Sequence, residues 1–370
     1  MNWLLLLLLA LATAAFVAAV VLLLRGMLYR TVRPLQLHVQ RRSDAPGDLF
    51  ILRLRRSGLA RWLPLPRFAA GQSVALCLPG QALKRRYSLA RWQRLPWFYE
   101  VAIKREHAGR FSPCLAEHGH TGARLQVSRP EGHFTLASRP AKRRAVLIAG
   151  GVGITPLLAM IDEWSASMRP AYAEVHLYWQ VRHAAEAIYR ELLVTLAQRR
   201  PALRVRILVS RPESGLAERI STELLADELG PLQDSDYYLC ASNRLLDAML
   251  EGLGSAGVPA ERLHYERFGL GALGASEQIW TINYLGQSFS SEGHATLLDA
   301  IEAQALSIDA DCRTGTCGRC LIAVADGTAQ HRVTPECKVP VGHVLACCAL
   351  PASDVQLRPA EPSVLANVVT

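Results

Sequence analysis

Asp311-Cys312-Arg313-Thr314-Gly315-Thr316-Cys317-Gly318-Arg319-Cys320, followed downstream by Val344-Leu345-Ala346-Cys347, is the stretch around which the chain is organised. Three cysteines spaced C-x4-C-x2-C with a distant fourth fit the plant-type [2Fe–2S] pattern, in which one loop wraps the cluster. Gly315 and Gly318 let backbone amides approach the sulfurs, where their dipoles stabilise an anionic cluster. A structural zinc site is the alternative, but such sites pair two C-x2-C knuckles and no second knuckle exists here. A cluster of this kind carries single electrons, so the remaining chain is expected to supply and receive them.

The 370 residues leave room for two or three domains. Nine cysteines, an odd number in a chain this long, favour bound and free thiols in a reducing compartment. The net charge of +9 comes with short, scattered basic runs such as Arg41-Arg42 and Lys84-Arg85-Arg86. No nucleic-acid motif accompanies them, so no nucleic-acid partner is expected, and contact with anionic lipid or an acidic redox partner fits better. From Trp3 to Leu24 no residue is charged. At about 1.5 Å per helical residue that stretch is long enough to span a bilayer. A cleaved signal peptide is the alternative, but its apolar region would be only about 7–15 residues and preceded by positive charge. A single-pass transmembrane anchor over 1–30 is therefore expected. The arginines after it place the catalytic domains on the cytoplasmic side.

Residues 31–140 read as short alternating strands at 49–54, 73–78 and 99–103 separated by turns, which predicts an antiparallel β-barrel. Within it, Arg85 can pair with a phosphate while Tyr87, on the same face, stacks on an aromatic ring. Gly109-Arg110-Phe111-Ser112-Pro113 is a helix start with Ser112 as N-cap, whose free amides suit a phosphate. After Pro140 the rhythm becomes strand, glycine turn, helix. Ala145 to Ala149 runs into Gly150-Gly151-Val152-Gly153-Ile154-Thr155-Pro156. Strands at 175–179, 204–210 and 237–240 alternate with helices at 184–198, 222–229 and 244–254. This predicts a parallel α/β nucleotide-binding domain over 141–268, with ligand at the carboxyl ends of its strands. Arg182 and Ser210-Arg211 fall at such ends, where guanidinium groups meet a ribose or 2′-phosphate or simply face solvent. A Gly/Ala-rich linker at 269–278 leads to a ferredoxin domain at 279–362, with 363–370 as a frayed tail.

Taken together, Arg85-x-Tyr87-Ser88, Gly109-x-x-Ser112, Pro130-x-Gly132-x-Phe134, Gly150-Gly-x-Gly153-Ile-Thr-Pro156 and His264-Tyr265-Glu266-Arg267-Phe268 resemble the ferredoxin–NADP reductase superfamily. The plant-type ferredoxin segment that follows makes the chain similar to its phthalate dioxygenase reductase and vanillate demethylase reductase branch. The resemblance implies a multidomain α+β architecture of flavin barrel, nucleotide domain and β-grasp [2Fe–2S] domain. It implies that Arg85 binds flavin phosphate, Tyr87 stacks the isoalloxazine and Ser88 hydrogen-bonds near N5. Ala102, Ile103 and Lys104 would line the flavin, and Gly109 and Ser112 would hold its phosphate. Gly150, Gly151, Gly153 and Thr155 would cradle the nucleotide with Arg182, Ser210, Arg211 and Phe268, and Cys240 would face the nicotinamide. The cluster ligands would be Cys312, Cys317, Cys320 and Cys347, with Cys348 a buried neighbour; spacing alone also admits Cys348. The branch generally uses FMN, the wider superfamily FAD, and Ser210-Arg211 leans towards NADPH over NADH. Where the family usually reads Cys-Gly-Pro, this chain has Cys240-Ala241-Ser242. The resemblance implies a reductase passing electrons from NAD(P)H to a Rieske oxygenase, or to a membrane di-iron hydroxylase or desaturase. Direct reduction of a ferric chelate or quinone, and a redox module that no longer uses nucleotide, are the competing readings.

Overall fold

The computed structural model describes Thr13 and residues 34–81, 83–106, 111–137, 140, 142–268, 278–335, 337–366 and 368. The expected membrane placement is corrected at the outset. Among the described residues no helix is long and apolar enough to cross a membrane. The stretch 3–24, apart from Thr13, lies outside them, as do Gly109 and most of the 269–278 linker.

The described residues form a multidomain architecture of three principal sheets. Six antiparallel strands make the first: β1 (Leu35–Ala45), β2 (Leu49–Arg55), β3 (Ser73–Cys77), β4 (Lys84–Ser88), β5 (Tyr99–Lys104) and β6 (Arg124–Val127), in the order β4-β3-β6-β1-β2-β5. Alternation explains it. Along β2, Phe50, Leu52 and Leu54 are buried, while the alternating Ile51, Arg53 and Arg55 are only partly so. A short helix, α1 (Ser112–His118), lies between β5 and β6.

The second sheet is parallel, with β7 (Arg144–Gly150), β8 (Glu174–Val181), β9 (Leu203–Val209), β10 (Ser235–Ala241) and β11 (Leu263–Arg267) in the order β11-β10-β7-β8-β9. All seven residues of β10 are buried, as a strand covered on both faces requires. The connecting helices are α2 (Ile154–Ala166), α3 (Arg190–Arg199), α4 (Thr222–Leu229) and α5 (Asn243–Ser255). The helix expected over 184–198 instead splits into a single turn at Ala184–Glu186 and α3. At the break Tyr189 leaves helical geometry, its ring is buried, and its hydroxyl donates to Glu100 on β5 (3.3 Å). Packing between sheets overrides helix propensity there. Arg91, just beyond β4, also reaches Asp162 on α2 (2.6 Å), so buried polar contacts join the first two sheets.

The third sheet contains β12 (Thr281–Tyr284), β13 (Gln287–Ser290), β14 (Leu321–Asp326), β16 (His343–Leu345) and β18 (Val355–Pro359). Its order is β13-β12-β18-β14-β16, with a small separate ribbon of β15 (Ala329–His331) and β17 (Ala349–Pro351). One helix, α6 (Leu297–Ala303), is capped by the Thr296 hydroxyl accepting from the Asp299 amide (3.1 Å). Residues beyond Pro362, expected to fray, instead form α7 (Pro362–Ala366), and Val368 is buried against Gly318 in the cysteine loop.

Candidate functional site

On β4, side chains alternate. Arg85 is partly buried, and its guanidinium donates to the Lys84 carbonyl (3.0 Å). Burial draws it down to about 10, with nearby Arg313 contributing in the same direction. A cation so disfavoured is one that a phosphate would stabilise. Tyr87 stacks on Phe111 with centroids 6.3 Å apart, and burial pushes its phenol up. Ala102 and Ile103 are buried and Lys104 is partly exposed at the end of β5. Ser112 opens α1 as its first residue rather than as its N-cap, and its hydroxyl accepts from the Glu106 amide (3.0 Å). The Glu106 amide takes the oxygen that a cap would offer the helix.

In the parallel sheet the chain runs from β7 outwards to β9, then returns to β10 on the other side of β7. The crevice at the carboxyl ends of β7 and β10 is therefore the switch point where such sheets bind ligands. Gly150 ends β7, and Gly151–Gly153 forms a single tight turn before α2. The Gly151 carbonyl accepts from the Trp179 indole (2.9 Å), and the Thr155 hydroxyl donates to the Val152 carbonyl (3.0 Å). A Cβ at Gly153 would lie 1.9 Å from the Cys240 carbonyl oxygen, so only glycine lets the turn press on β10. Ala241, where the family usually has glycine, is tolerated because it faces Gly150; a Cβ there would come within 2.8 Å of the Ala241 methyl. Beyond β8 and β9 the loops are zipped together, with the Ser210 amide donating to Val181 (2.9 Å) and the Arg211 amide to Arg182 (2.8 Å). Both arginines are exposed. Phe268, 38% exposed, closes the described part of this segment.

Residues from the first two sheets meet at one carboxylate. The Ser88 hydroxyl donates to Glu266 (3.1 Å), and the Cys240 thiol lies 4.0 Å from the same oxygen. Burial, and then Glu266 itself, push the Cys240 thiol well above its usual range. The sequence placed Glu266 in a motif without a role. The signal that finds it is register, since Glu266 pairs with Cys240 across β10 and β11.

Among the described residues no three His, Cys, Asp or Glu side chains converge on a single ion. The four cysteines instead act on one another in pairs, Cys312 with Cys317 inside the loop and Cys320 with Cys347. A [2Fe–2S] cluster needs four thiolates, two for each iron, so the donor set fits it. The Cys312 sulfur also accepts from the Thr314 amide (3.4 Å) and the Cys317 amide (3.3 Å). The neighbouring Cys317 side chain, outweighing burial, draws the Cys312 thiol down, and Cys312 in turn pushes Cys317 up. Gly315 holds φ at +83°, and a Cβ there would sit 2.7 Å from the Cys348 sulfur. Cys348 lies behind the loop, 3.4 Å from the Cys347 sulfur.

A six-stranded antiparallel sheet, a glycine-turn parallel sheet and a set of four cysteines in one chain define a modular electron-transfer oxidoreductase. Two family models match: the oxidoreductase NAD-binding domain at residues 147–250 and the 2Fe-2S iron-sulfur cluster binding domain at 281–352. The chain is 30% identical over 271 residues to vanillate O-demethylase oxidoreductase of Pseudomonas putida, covering 72% of this chain and 81% of that one. It is 29% identical over 301 residues to tetrachlorobenzoquinone reductase of Sphingobium chlorophenolicum, covering 78% and 87%. Its fold matches the solved structure of phthalate dioxygenase reductase with a TM-score of 0.67 at 22% identity, over 88% of this chain and 97% of that one. The chain belongs to the phthalate dioxygenase reductase-like family of NAD(P)H-dependent oxidoreductases, whose cofactors are a flavin and a [2Fe–2S] cluster.

Proposed function

We propose that this chain is the reductase component of an oxygenase system, taking a hydride from NAD(P)H and delivering single electrons to a partner oxygenase. The contact that carries the reading is Ser88–Glu266–Cys240, because it joins the flavin strand to the nucleotide crevice at one point. A flavin supplies the conversion of a two-electron donor into one-electron steps. Arg85 and the segment Gly109–Ser112 hold the flavin phosphate, Tyr87 packs on the ring, Ser88 sits near N5, and Ala102 to Lys104 line it. We favour FMN, as is general in this branch. Gly150, Gly151, Gly153 and Thr155 hold the nucleotide's pyrophosphate region. Arg182, Ser210 and Arg211 meet its ribose and favour NADPH, Phe268 closes the site, and Cys240 positions the nicotinamide. With its thiol kept protonated by burial, Cys240 donates a hydrogen bond and does not act as a nucleophile. Cys312, Cys317, Cys320 and Cys347 bind the cluster. The working division is a flavin domain over 31–140, a nucleotide domain over 141–268 and a ferredoxin domain over 279–362.

Anaerobic titration of the loaded protein with NADPH and with NADH tests this. Bleaching of the flavin followed by that of the cluster is expected, and no bleaching by either nucleotide would refute it. A second reading, direct reduction of a quinone, is favoured by the 29% identity to tetrachlorobenzoquinone reductase. Quinone turnover that persists when the ferredoxin domain's cluster is removed would support it.

A further inference from the structure

The strand that carries the flavin candidates is also fastened to the cysteine loop. Lys84 and Arg86 alternate with Arg85 and Tyr87 along β4, so they project from the opposite face. Lys84 pairs with Asp309 (3.5 Å), and Arg86 pairs with Asp311, the residue immediately before Cys312. Two positions on the strand thus meet two positions on the loop in step, although the arginine and the aspartate are 225 residues apart.

The Arg86 end of this contact is desolvated. The Asp311 side chain is 4% exposed and that of Arg86 14%. The guanidinium is fixed from behind, donating to the Ser73 hydroxyl (3.0 Å) and the Ser73 carbonyl (3.2 Å) on β3. It also reaches Glu131 (3.2 Å), and Glu131 accepts from Arg319 (3.4 Å), the residue immediately before Cys320. Arg319 lies 3.6 Å from Asp311, which closes a ring of four alternating charges. Arg86 and Glu131 belong to the first sheet's side, and Asp311 and Arg319 directly precede cluster ligands. Salt screens a buried pair of this kind only weakly, and losing one partner leaves a charge uncompensated.

We propose that Arg86 is a positioning residue for electron transfer: through Asp311, Glu131 and Arg319 it fixes the cluster loop at a set distance from the flavin strand. The inference rests on the flavin and cluster assignments made under the proposed function. No bond forms or breaks in the step it serves; one electron leaves the reduced flavin and enters the cluster. Tunnelling between them falls off steeply with separation, so a loop released from β4 transfers more slowly even with both cofactors in place.

The test uses the full chain with both cofactors loaded and the variants Arg86→Gln, Arg86→Lys and Arg319→Gln. Hydrogen–deuterium exchange over residues 309–314 reads the loop's attachment. Single-turnover absorbance reads cluster reduction. Ferricyanide reduction reads the flavin, and cytochrome c reduction the whole route. Arg86→Gln is expected to speed exchange in the loop. It should slow cluster reduction and cytochrome c turnover several-fold, because the loop no longer keeps its fixed separation from β4, while ferricyanide turnover stays within about twofold. Arg86→Lys should recover part of the loss, and Arg319→Gln should shift the same readouts less. Wild-type exchange and cluster reduction in Arg86→Gln would overturn the proposal, as would equal losses with both acceptors. If Arg86→Gln does not fold, Arg319→Gln decides by the same criteria. If the wild-type protein reduces neither acceptor with either nucleotide, the proposed function fails, and the exchange measurement still judges the fastening.

Discussion

Replacing Gly153 with alanine puts a methyl group 1.9 Å from the carbonyl oxygen of Cys240, where real Cβ atoms essentially never come within 3.0 Å. The obstacle is backbone, flanked by the Cys240 carbonyl carbon at 2.6 Å and the Ala241 nitrogen at 3.3 Å, so no side chain can swing aside. Either the glycine turn or the end of β10 must retreat by about 1 Å, and a misplacement of that size can cost about 100-fold in rate. The packing strain itself is about 1–3 kcal/mol, which a domain of this size survives with a lowered Tm. Gly230→Ala is the matched control. Its φ of +74° imposes strain of about 1–2 kcal/mol, but a Cβ there meets nothing within 4 Å, and Gly230 lies after α4, outside the nucleotide crevice. Stopped-flow flavin bleaching under anaerobic NADPH should slow by about 10- to 100-fold in Gly153→Ala and far less in Gly230→Ala, at similar thermal stability. Cluster absorbance should be unchanged in both. Wild-type bleaching by a folded Gly153→Ala would refute the idea that contact between the turn and Cys240 shapes the nicotinamide site.

Two further outcomes follow from the cysteines. Cys347→Ser should abolish the cluster's visible absorption, whereas Cys348→Ser, which only backs Gly315 and Cys347, should retain it; the reverse result would reassign the fourth ligand. Because burial and Glu266 raise the Cys240 thiol, folded protein at pH 8 should leave it unlabelled by iodoacetamide, as read by peptide mass spectrometry. Labelling of Cys240 at the rate of the unfolded chain would contradict that burial.

What could be read before folding was local. The cysteine spacing, the glycine turn after β7 and the apolar alternation of β2 each carry their signal within a few residues, and the structure's elements fall where those signals lie. α4 occupies the expected 222–229 because Ser221 caps it from its own sequence neighbourhood, accepting from the Leu224 amide (3.2 Å). Contacts between distant segments were not legible. Glu266 stands between Ser88 and Cys240 through β-register, Tyr189 breaks a helix to reach Glu100, and Arg86 meets Asp311 across 225 residues. The tail misled for a related reason, since Val368 packs over Gly318, a neighbour 50 residues earlier in sequence. Ser112 was misplaced by one position because the Glu106 amide takes its hydroxyl.

The order of electron arrival tests the central claim most directly. One equivalent of NADPH, mixed anaerobically with the oxidised, fully loaded protein and freeze-quenched over time, gives flavin absorbance and the paramagnetic signal of the reduced cluster in the same samples. Flavin bleaching that precedes the cluster signal, with the signal lost in Cys347→Ser while bleaching persists, is the predicted result. A cluster signal that appears without prior flavin bleaching, or bleaching that never yields a reduced cluster, would contradict a relay from nucleotide through flavin to iron.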